Sequence, residues 1–130
     1  MKNFMKEEIK TEKAPLVVGP YSQAVKVGNL IFCSGQIGID PSTGNLVEGG
    51  IEAQTEQILK NLSAVLEAAG LTLETAVRTD IFITSMNDYS KVNEIYGRYF
   101  EKGIRPARVT VEVSKLPKNA LIEISCIAHI

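Results

Sequence analysis

Five short stretches of the chain alternate apolar and polar residues, a pattern typical of half-buried β-strands. In the last of them, Ile122, Ile124 and Cys126 alternate with polar residues such as Glu123. The predicted strands are residues 24–27, 30–34, 77–84, 108–113 and 121–130. Gly28-Asn29 separates the first two strands and is a two-residue hairpin signal, so we expect these strands to pair.

Two longer stretches repeat apolar residues at helical spacing. The first predicted helix covers residues 51–69 and ends before Gly70, a residue suited to a left-handed C-terminal cap. The second begins at a cap formed by Asn87 or Asp88 and continues to about Glu101. The apolar face of this second helix consists of Val92, Ile95, Tyr96, Tyr99 and Phe100.

The order of these elements predicts an α+β fold, in which a mixed β-sheet carries both helices on one face. We assign all 130 residues to one domain, and expect residues 1–9, which carry no clear structural signal, to be disordered. The opposite face of the sheet is left to water or to a partner. Because a face of this size favours burial against another subunit, we expect a homo-oligomer.

Composition narrows the classes of function. The net charge is −1, from 14 basic and 15 acidic residues, with no basic stripe, so a nucleic acid is a poor candidate partner. The chain has no signal-like or membrane-spanning apolar run, and we expect a soluble, cytoplasmic protein. Cys33 and Cys126 lack metal-binding spacing and His129 is the only histidine, which favours two buried thiols and no metal site.

Two charged residues of the last two strands could carry chemistry. Arg108 follows Pro106-Ala107, which stiffens the backbone just before it, and could bind a carboxylate in bidentate fashion. Glu123 lies among apolar residues, so its pKa could be raised and its carboxyl group could act as a general acid or base. The alternatives are a surface salt bridge for Arg108 and a solvated carboxylate for Glu123.

Two further positions are candidates for a binding cleft. Tyr21 follows the turn Gly19-Pro20 and could direct its hydroxyl into a cleft, or could simply pack at the sheet edge. Gly35, after Ser34 at the end of a strand, could let a ligand approach the backbone, or could mark a plain β-bulge.

Taken together, a series of short segments resembles the reactive-intermediate deaminase (RidA/YjgF) family, over nearly the whole chain from about Lys10 to Ala128. The segments are Ala14-Pro15, Gly19 to Ala24 (GPYSQA), Ser34 to Ile37 (SGQI), Glu67 to Gly70 (EAAG), Val92-Asn93, Pro106-Ala107-Arg108, Val111-Glu112-Val113, Leu116-Pro117 and Ile122-Glu123-Ile124. Each segment is weak alone, but their order and spacing are specific.

The resemblance implies a homotrimer with a chorismate-mutase-like fold and three clefts, each shared by neighbouring subunits. It implies hydrolysis of 2-imino acids such as 2-iminobutanoate and 2-iminopropanoate, and of their enamine tautomers, to 2-keto acids and ammonia, without a cofactor. By the same resemblance, Arg108 binds the substrate carboxylate and Glu123 positions or activates water.

The remaining site residues also come from the resemblance. Tyr21, Ser34 and Asn93 match cleft residues, and Gly35 matches a glycine whose backbone lies beside the ligand. Thr110 stands where well-known members carry cysteine; its hydroxyl can still donate a hydrogen bond, but it argues against a thiolate nucleophile.

Two other functions remain open. Some family members are described as endoribonucleases or translation inhibitors, although the absence of a basic surface weighs against this. A non-catalytic module that binds a small acid would use Arg108 equally well, and Glu123 is the residue that separates this possibility from an enzyme.

Overall fold

The computed structural model describes residues 5–130, and within this range the chain forms six β-strands and two α-helices. In chain order they are β1 (Glu7–Ile9), β2 (Ala24–Val27), β3 (Leu30–Gln36), α1 (Gly50–Ala68), β4 (Ala76–Ile83), α2 (Tyr89–Tyr99), β5 (Ala107–Glu112) and β6 (Ile122–His129). The predicted helices and the five predicted strands are confirmed, with boundaries that agree within two residues. These elements follow from local periodicity, which explains the agreement.

The strands form one mixed sheet in the order β1-β2-β3-β6-β4-β5. Only β4 and β5 run parallel, because α2 carries the chain back between them. Helix α1 packs on β3 and β6, and α2 packs on α1, so both helices cover the same face. Ile58, Leu62 and Leu66 of α1 are fully buried against this face, and the expected α+β architecture is confirmed.

Two glycines act as expected at the ends of elements. Gly28 has φ +57° in the β2–β3 turn, and the flanking Val27 and Leu30 are paired. Gly70 has φ +77° after α1, where its N–H donates to Glu67 O and the N–H of Leu71 donates to Leu66 O. At the start of α2, Asp88 occupies the cap position, as expected, but its side chain does not form a capping hydrogen bond.

The expectation that residues 1–9 are disordered is wrong for the last three of them. Glu7–Ile9 forms β1, which pairs antiparallel with β2, and Ile9 packs against the hydrophobic core. A three-residue strand with one apolar side chain is too short to show a periodic pattern, so the pairing partner decides its conformation. Residues 1–4 lie outside the described part of the chain.

The buried side chain of Gln23 holds the coil that follows β1. Its Oε1 accepts from the backbone N–H of Thr11 at 2.7 Å, and its Nε2 donates to Thr11 O at 3.0 Å and to Pro15 O at 2.9 Å. One amide side chain thereby replaces the hydrogen bonds that a paired strand would supply to residues 11–15. This segment leads into a wall of the cavity described below.

On strand β5 the polar side chains face the helices and the valines face away from them, the reverse of a simple amphipathic strand. Arg108 is paired with Thr79, which is buried under α2, so Arg108 lies on the helix-covered face. Val109 and Val111 lie on the open face and are 43% and 40% exposed. The alternation along β5 defines two sets of residues, and the parallel pairing with β4 decides which set faces the helices.

We predict that Gln23→Leu lowers the free energy of unfolding by about 2 kcal/mol, because several backbone groups lose a buried hydrogen-bond partner while the side-chain volume is kept. Urea denaturation at fixed protein concentration measures the loss, and hydrogen exchange should show reduced protection of the Thr11 amide. An unchanged midpoint with full protection of Thr11 would contradict the role given to Gln23.

Candidate functional site

The guanidinium of Arg108 lies against two tyrosine rings of α2. Its carbon is 4.9 Å from the centroid of the Tyr96 ring and 5.6 Å from that of Tyr89, distances at which a cation is attracted to the face of a ring. Its Nη2 also donates a hydrogen bond of 3.1 Å to the hydroxyl of Tyr89. Among the residues that the structure describes, no carboxylate forms a salt bridge with Arg108, so the surface ion pair considered above is not its role.

Tyr96 is the fixed support of this arrangement. The side chain is buried, and its hydroxyl shares a hydrogen bond of 2.6 Å with Thr79 of β4. Burial raises the pKa of Tyr96, so the phenol stays neutral at physiological pH. Its ring is therefore anchored to the sheet at one end and supports the Arg108 guanidinium on its face.

Two buried polar atoms of α2 and β5, the elements that carry the tyrosines and Arg108, lack partners in the described part of the chain. They are Oδ1 of Asn93 and Oγ1 of Thr110. Asn93 lies on α2 between Tyr89 and Tyr96, and Thr110 lies two residues beyond Arg108 on the same face of β5. Unpaired polar atoms are costly in a folded protein and call for an explanation, which a ligand can supply. We call Tyr89, Asn93, Tyr96, Arg108 and Thr110 the arginine half-site.

Glu123 lies against the backbone of Gly35. A Cβ added at Gly35 would lie 2.5 Å from Glu123 Oε2, so a side chain at this position would displace the carboxyl group. The pairing of β3 with β6 shifts between Cys33 and Gln36, which marks a bulge at Ser34 and Gly35. The bulge expected as an alternative is present, and the side chain that approaches Gly35 is Glu123 of the same chain.

Glu123 and Gly35 line a cavity of about 430 Å³ that Tyr21 also borders. Its other walls are mainly apolar and come from residues 15–18, from the loop between β3 and α1, and from Pro117 and Lys118 between β5 and β6. The side chain of Glu123 is half-buried, and this desolvation raises the pKa of its carboxyl group above the ordinary value of 4.5. We call Tyr21, Gly35 and Glu123 the glutamate half-site.

Ser34 has a structural contact that its predicted binding role did not include. Its hydroxyl donates a hydrogen bond of 2.6 Å to Ser22 O, and its N–H donates to Gln23 O at 2.9 Å. The hydroxyl proton is therefore used to hold the segment that carries Tyr21, although an oxygen lone pair remains for a ligand.

Two polar side chains of α1 hold the backbone around the cavity. Asn61 donates from Nδ2 to Ile39 O at 2.9 Å, and Gln54 accepts from the N–H of Leu121 at 2.9 Å. Both residues are buried. They fix the loop after β3 and the chain just before Glu123, so the position of the carboxyl group depends on α1 as well as on the sheet.

The two half-sites lie on opposite faces of the sheet in one chain. Glu123 is paired with Phe82, and Phe82 is paired with Val111, so all three share the open face. Arg108 shares the other face with Thr79. The structure thus brings Arg108, Asn93 and Thr110 together and brings Tyr21, Gly35 and Glu123 together, but it does not join the two sets within one chain.

Several residues of this arrangement were not identified from the sequence. The sequence pattern does not single out Tyr89, and it places Tyr96 only on the apolar face of its helix. Their spacing of seven residues, two helical turns, places both rings on one side of α2. This spacing is the sequence feature that could predict a pair of rings beside one ligand or side chain. Gln23, Gln54 and Asn61 gave no comparable signal, since their partners are distant in the chain.

Cys33 and Cys126 are directly opposite each other on β3 and β6, and both are free and buried as expected. A hydrogen bond with Cys33 and the burial of the side chain both raise the pKa of Cys126, so this thiol stays protonated at physiological pH. Residues 5–130 contain no cluster of three or more His, Cys, Asp or Glu side chains suited to a metal ion. Within the same range, no helix combines the length and the apolar character needed to cross a bilayer.

Comparison with known proteins gives consistent matches over almost the full length. The sequence model of the endoribonuclease L-PSP family matches residues 11–130. A RutC family protein of Pyrococcus horikoshii is 54% identical over 125 residues, which cover 96% of this chain and 98% of the relative. The chloroplastic Reactive Intermediate Deaminase A of Arabidopsis thaliana is 50% identical over 123 residues, which cover 95% of this chain and 65% of that protein.

A solved structure extends the comparison to the backbone. The crystal structure of Escherichia coli TdcF with bound serine is 36% identical in sequence and superimposes with a TM-score of 0.92. The match covers 95% of this chain and 98% of that one. The fold described above is therefore shared with a protein that binds a small amino acid.

We predict that Glu123→Gln raises the free energy of unfolding near pH 7. The pKa of Glu123 is raised in the folded state, so the unfolded state releases this proton first as pH rises. The folded state therefore loses stability between the two pKa values, and the full loss remains above the folded-state pKa. The glutamine keeps the shape without that cost. Urea midpoints of variant and wild type at equal protein concentration should differ near neutrality and converge well below the ordinary value of 4.5.

The exposed Glu101 provides a matched control, since Glu101→Gln replaces a solvated side chain and should change the midpoint little. A Glu123→Gln protein that is less stable than wild type near neutrality would mean that the carboxylate makes a favourable contact that its surroundings do not reveal.

Proposed function

This chain belongs to the endoribonuclease L-PSP family, which includes the Rid and RutC proteins, and we propose that it hydrolyses reactive 2-imino acids and their enamine tautomers to 2-keto acids and ammonia. The relative in Arabidopsis thaliana is named a reactive intermediate deaminase, which supports deaminase activity at the level of the family. The substrates we assign are small acids such as 2-iminobutanoate and 2-iminopropanoate.

The observation that carries the proposal is the guanidinium of Arg108 supported on Tyr96, together with two unpaired buried oxygens on the same strand and helix. A guanidinium held in this way offers parallel N–H donors to a carboxylate, the one group common to all 2-imino acids. The hydroxyl of Thr110 can donate a further hydrogen bond to the ligand. The serine bound to the structural relative from Escherichia coli carries the same kind of carboxylate.

A complete site requires two copies of the chain. Because the two half-sites lie on opposite faces, the arginine half-site of one subunit can meet only the glutamate half-site of another. Such an interface joins different surfaces and repeats around a ring. We propose a ring of three subunits with the chorismate-mutase-like arrangement that the family resemblance implies, and the exposed Phe32, Val109 and Val111 of the open sheet face support burial between copies.

In the proposed reaction, Arg108 binds the carboxylate and orients the imine carbon toward a water molecule beside Glu123 of the partner subunit. The carboxylate of Glu123 removes a proton from the water as its oxygen bonds to the imine carbon of the protonated imine. The resulting tetrahedral intermediate carries a hydroxyl and an amino group. Glu123 then returns the proton to the amino nitrogen. As the carbon–nitrogen bond breaks, the hydroxyl oxygen forms the carbonyl and its proton passes to the carboxylate of Glu123. The departing ammonia takes up this proton, so that ammonium and the 2-keto acid are released and Glu123 is again ionised.

An enamine substrate needs one earlier step, in which carbon 3, next to the carbon that bears nitrogen, takes a proton from solvent to give the protonated imine. The raised pKa of Glu123 suits a group that must both accept and return a proton. No step of this scheme involves a cofactor.

Hydrolysis of RNA is less well supported, although the family is described by that activity. Ribonuclease chemistry without a metal commonly relies on a histidine as general acid or base. The only histidine, His129, lies at the far end of β6 from Glu123, about 20 Å along the strand.

We predict that two inactive variants restore activity when they assemble together. Arg108→Ala lacks the carboxylate-binding group and Glu123→Gln lacks the base, so each alone should clear imine poorly. In a ring of three that contains both variants, an intact Arg108 faces an intact Glu123 at one of the three interfaces, about a third. Differently tagged variants are co-expressed, purified through both tags, and assayed with threonine dehydratase as imine source and semicarbazide as competitor.

Recovery of about a third of wild-type activity is the expected result. A mixed oligomer no more active than its separate components would overturn the shared site. Titration of Glu123→Gln with 2-oxobutanoate distinguishes an enzyme from a non-catalytic acid-binding module. If the protein is an enzyme that uses Glu123 as its base, this variant still binds the acid but no longer clears imine.

We also predict that kcat falls at low pH through a pKa above 4.5, because only the carboxylate form of Glu123 can accept a proton from water. The profile is measured by product 2-keto acid, with an amino-acid oxidase supplying imine in excess at each pH. The residual activity of Glu123→Gln should lack this acidic limb, and an unchanged limb in that variant would assign the proton transfer to another group.

A further inference from the structure

Tyr89 is the first residue of α2 and lies at the mouth of the arginine half-site. Its side chain is partly exposed, and its hydroxyl accepts the 3.1 Å hydrogen bond from Arg108 Nη2. A tyrosine hydroxyl has one proton to donate as well as lone pairs to accept with. Acceptance from the guanidinium therefore leaves the O–H of Tyr89 free to donate.

The other two tyrosines of α2 are committed elsewhere. The hydroxyl of Tyr96 is bonded to Thr79 at 2.6 Å, and that of Tyr99 donates to Glu56 Oε1 at 2.8 Å. Tyr89 is thus the tyrosine of this helix whose hydroxyl is directed to Arg108. A hydrogen bond received from a cation also polarises the phenol, which makes its own O–H a stronger donor.

We propose that the hydroxyl of Tyr89 is a second binding group for the substrate carboxylate, acting together with Arg108 as a composite anion site. The carboxylate has two oxygens with about four acceptor positions, more than one guanidinium edge can fill. Tyr89 donates its proton to a carboxylate oxygen while its own oxygen remains bonded to Arg108. This inference rests on the proposed function, since it assumes that Arg108 binds a carboxylate.

Tyr89 is therefore a selectivity determinant for acids over neutral analogues. A hydrogen bond to a charged acceptor is stronger than one to a neutral carbonyl, so the hydroxyl contributes more to binding of an acid than to binding of its amide. The contact is present in the bound substrate and in the transition state alike, so its loss should raise KM and leave kcat nearly unchanged.

Tyr89→Phe tests this directly, because it keeps the ring that faces the Arg108 guanidinium and removes only the hydroxyl. Isothermal titration of the full-length protein with 2-oxobutanoate and with its neutral amide, 2-oxobutanamide, gives the two affinities. We expect Tyr89→Phe to weaken binding of the acid about tenfold, with a much smaller change for the amide. Tyr99→Phe, on the same helix and bonded to Glu56, is the matched control and should bind both ligands as wild type does.

Kinetics with enzymatically generated imine provide the second readout, with KM raised about tenfold and kcat retained in Tyr89→Phe. Equal affinity of wild type and Tyr89→Phe for 2-oxobutanoate, with binding lost in Arg108→Ala, would overturn the role of Tyr89 and leave the proposed function standing. A fall in kcat without a rise in KM would also overturn it, since the hydroxyl would then act by holding Arg108 in place. Failure of wild type to bind the acid or to clear imine would remove both proposals.

Discussion

The alternation of side chains across a β-strand is the constraint on which the proposed chemistry depends. Arg108 and Glu123 lie on strands separated only by β4, yet the pairing registers place them on opposite faces of the sheet. No side-chain rotation carries a residue through a sheet. Any reaction that uses both groups must therefore take place between chains, and oligomerisation becomes a requirement of the proposed activity.

Each half-site has features that a fold selected for stability alone would avoid. Asn93 and Thr110 present buried oxygens without partners, and Glu123 is half-buried with a raised pKa. Unpaired or desolvated polar groups cost free energy in the isolated chain. A ligand or a neighbouring subunit would offset these costs by supplying the missing partners, so the features that weaken the single chain are those expected of a binding surface.

The positions of these groups are supported by residues that take no part in the chemistry. The ring of Tyr96, whose hydroxyl is hydrogen-bonded to Thr79, supports the Arg108 guanidinium, and the bulge at Gly35 makes room for the carboxyl group of Glu123. Gln23 ties the N-terminal coil to the sheet by replacing strand hydrogen bonds with those of one side chain. Precise placement of reacting groups depends on such supports, because small displacements reduce rates strongly.

The sequence by itself determined the helices, five strands, the α+β class and the apolar surroundings of Glu123, because periodicity and neighbouring residues are local properties. It did not determine β1, which follows from pairing with β2, or the face on which Arg108 lies, which follows from pairing with β4. The tyrosine support of Arg108 and the contact of Glu123 with Gly35 join residues far apart in the chain. Only the tertiary structure decided them, since register and packing are set by long-range contacts that no local pattern records.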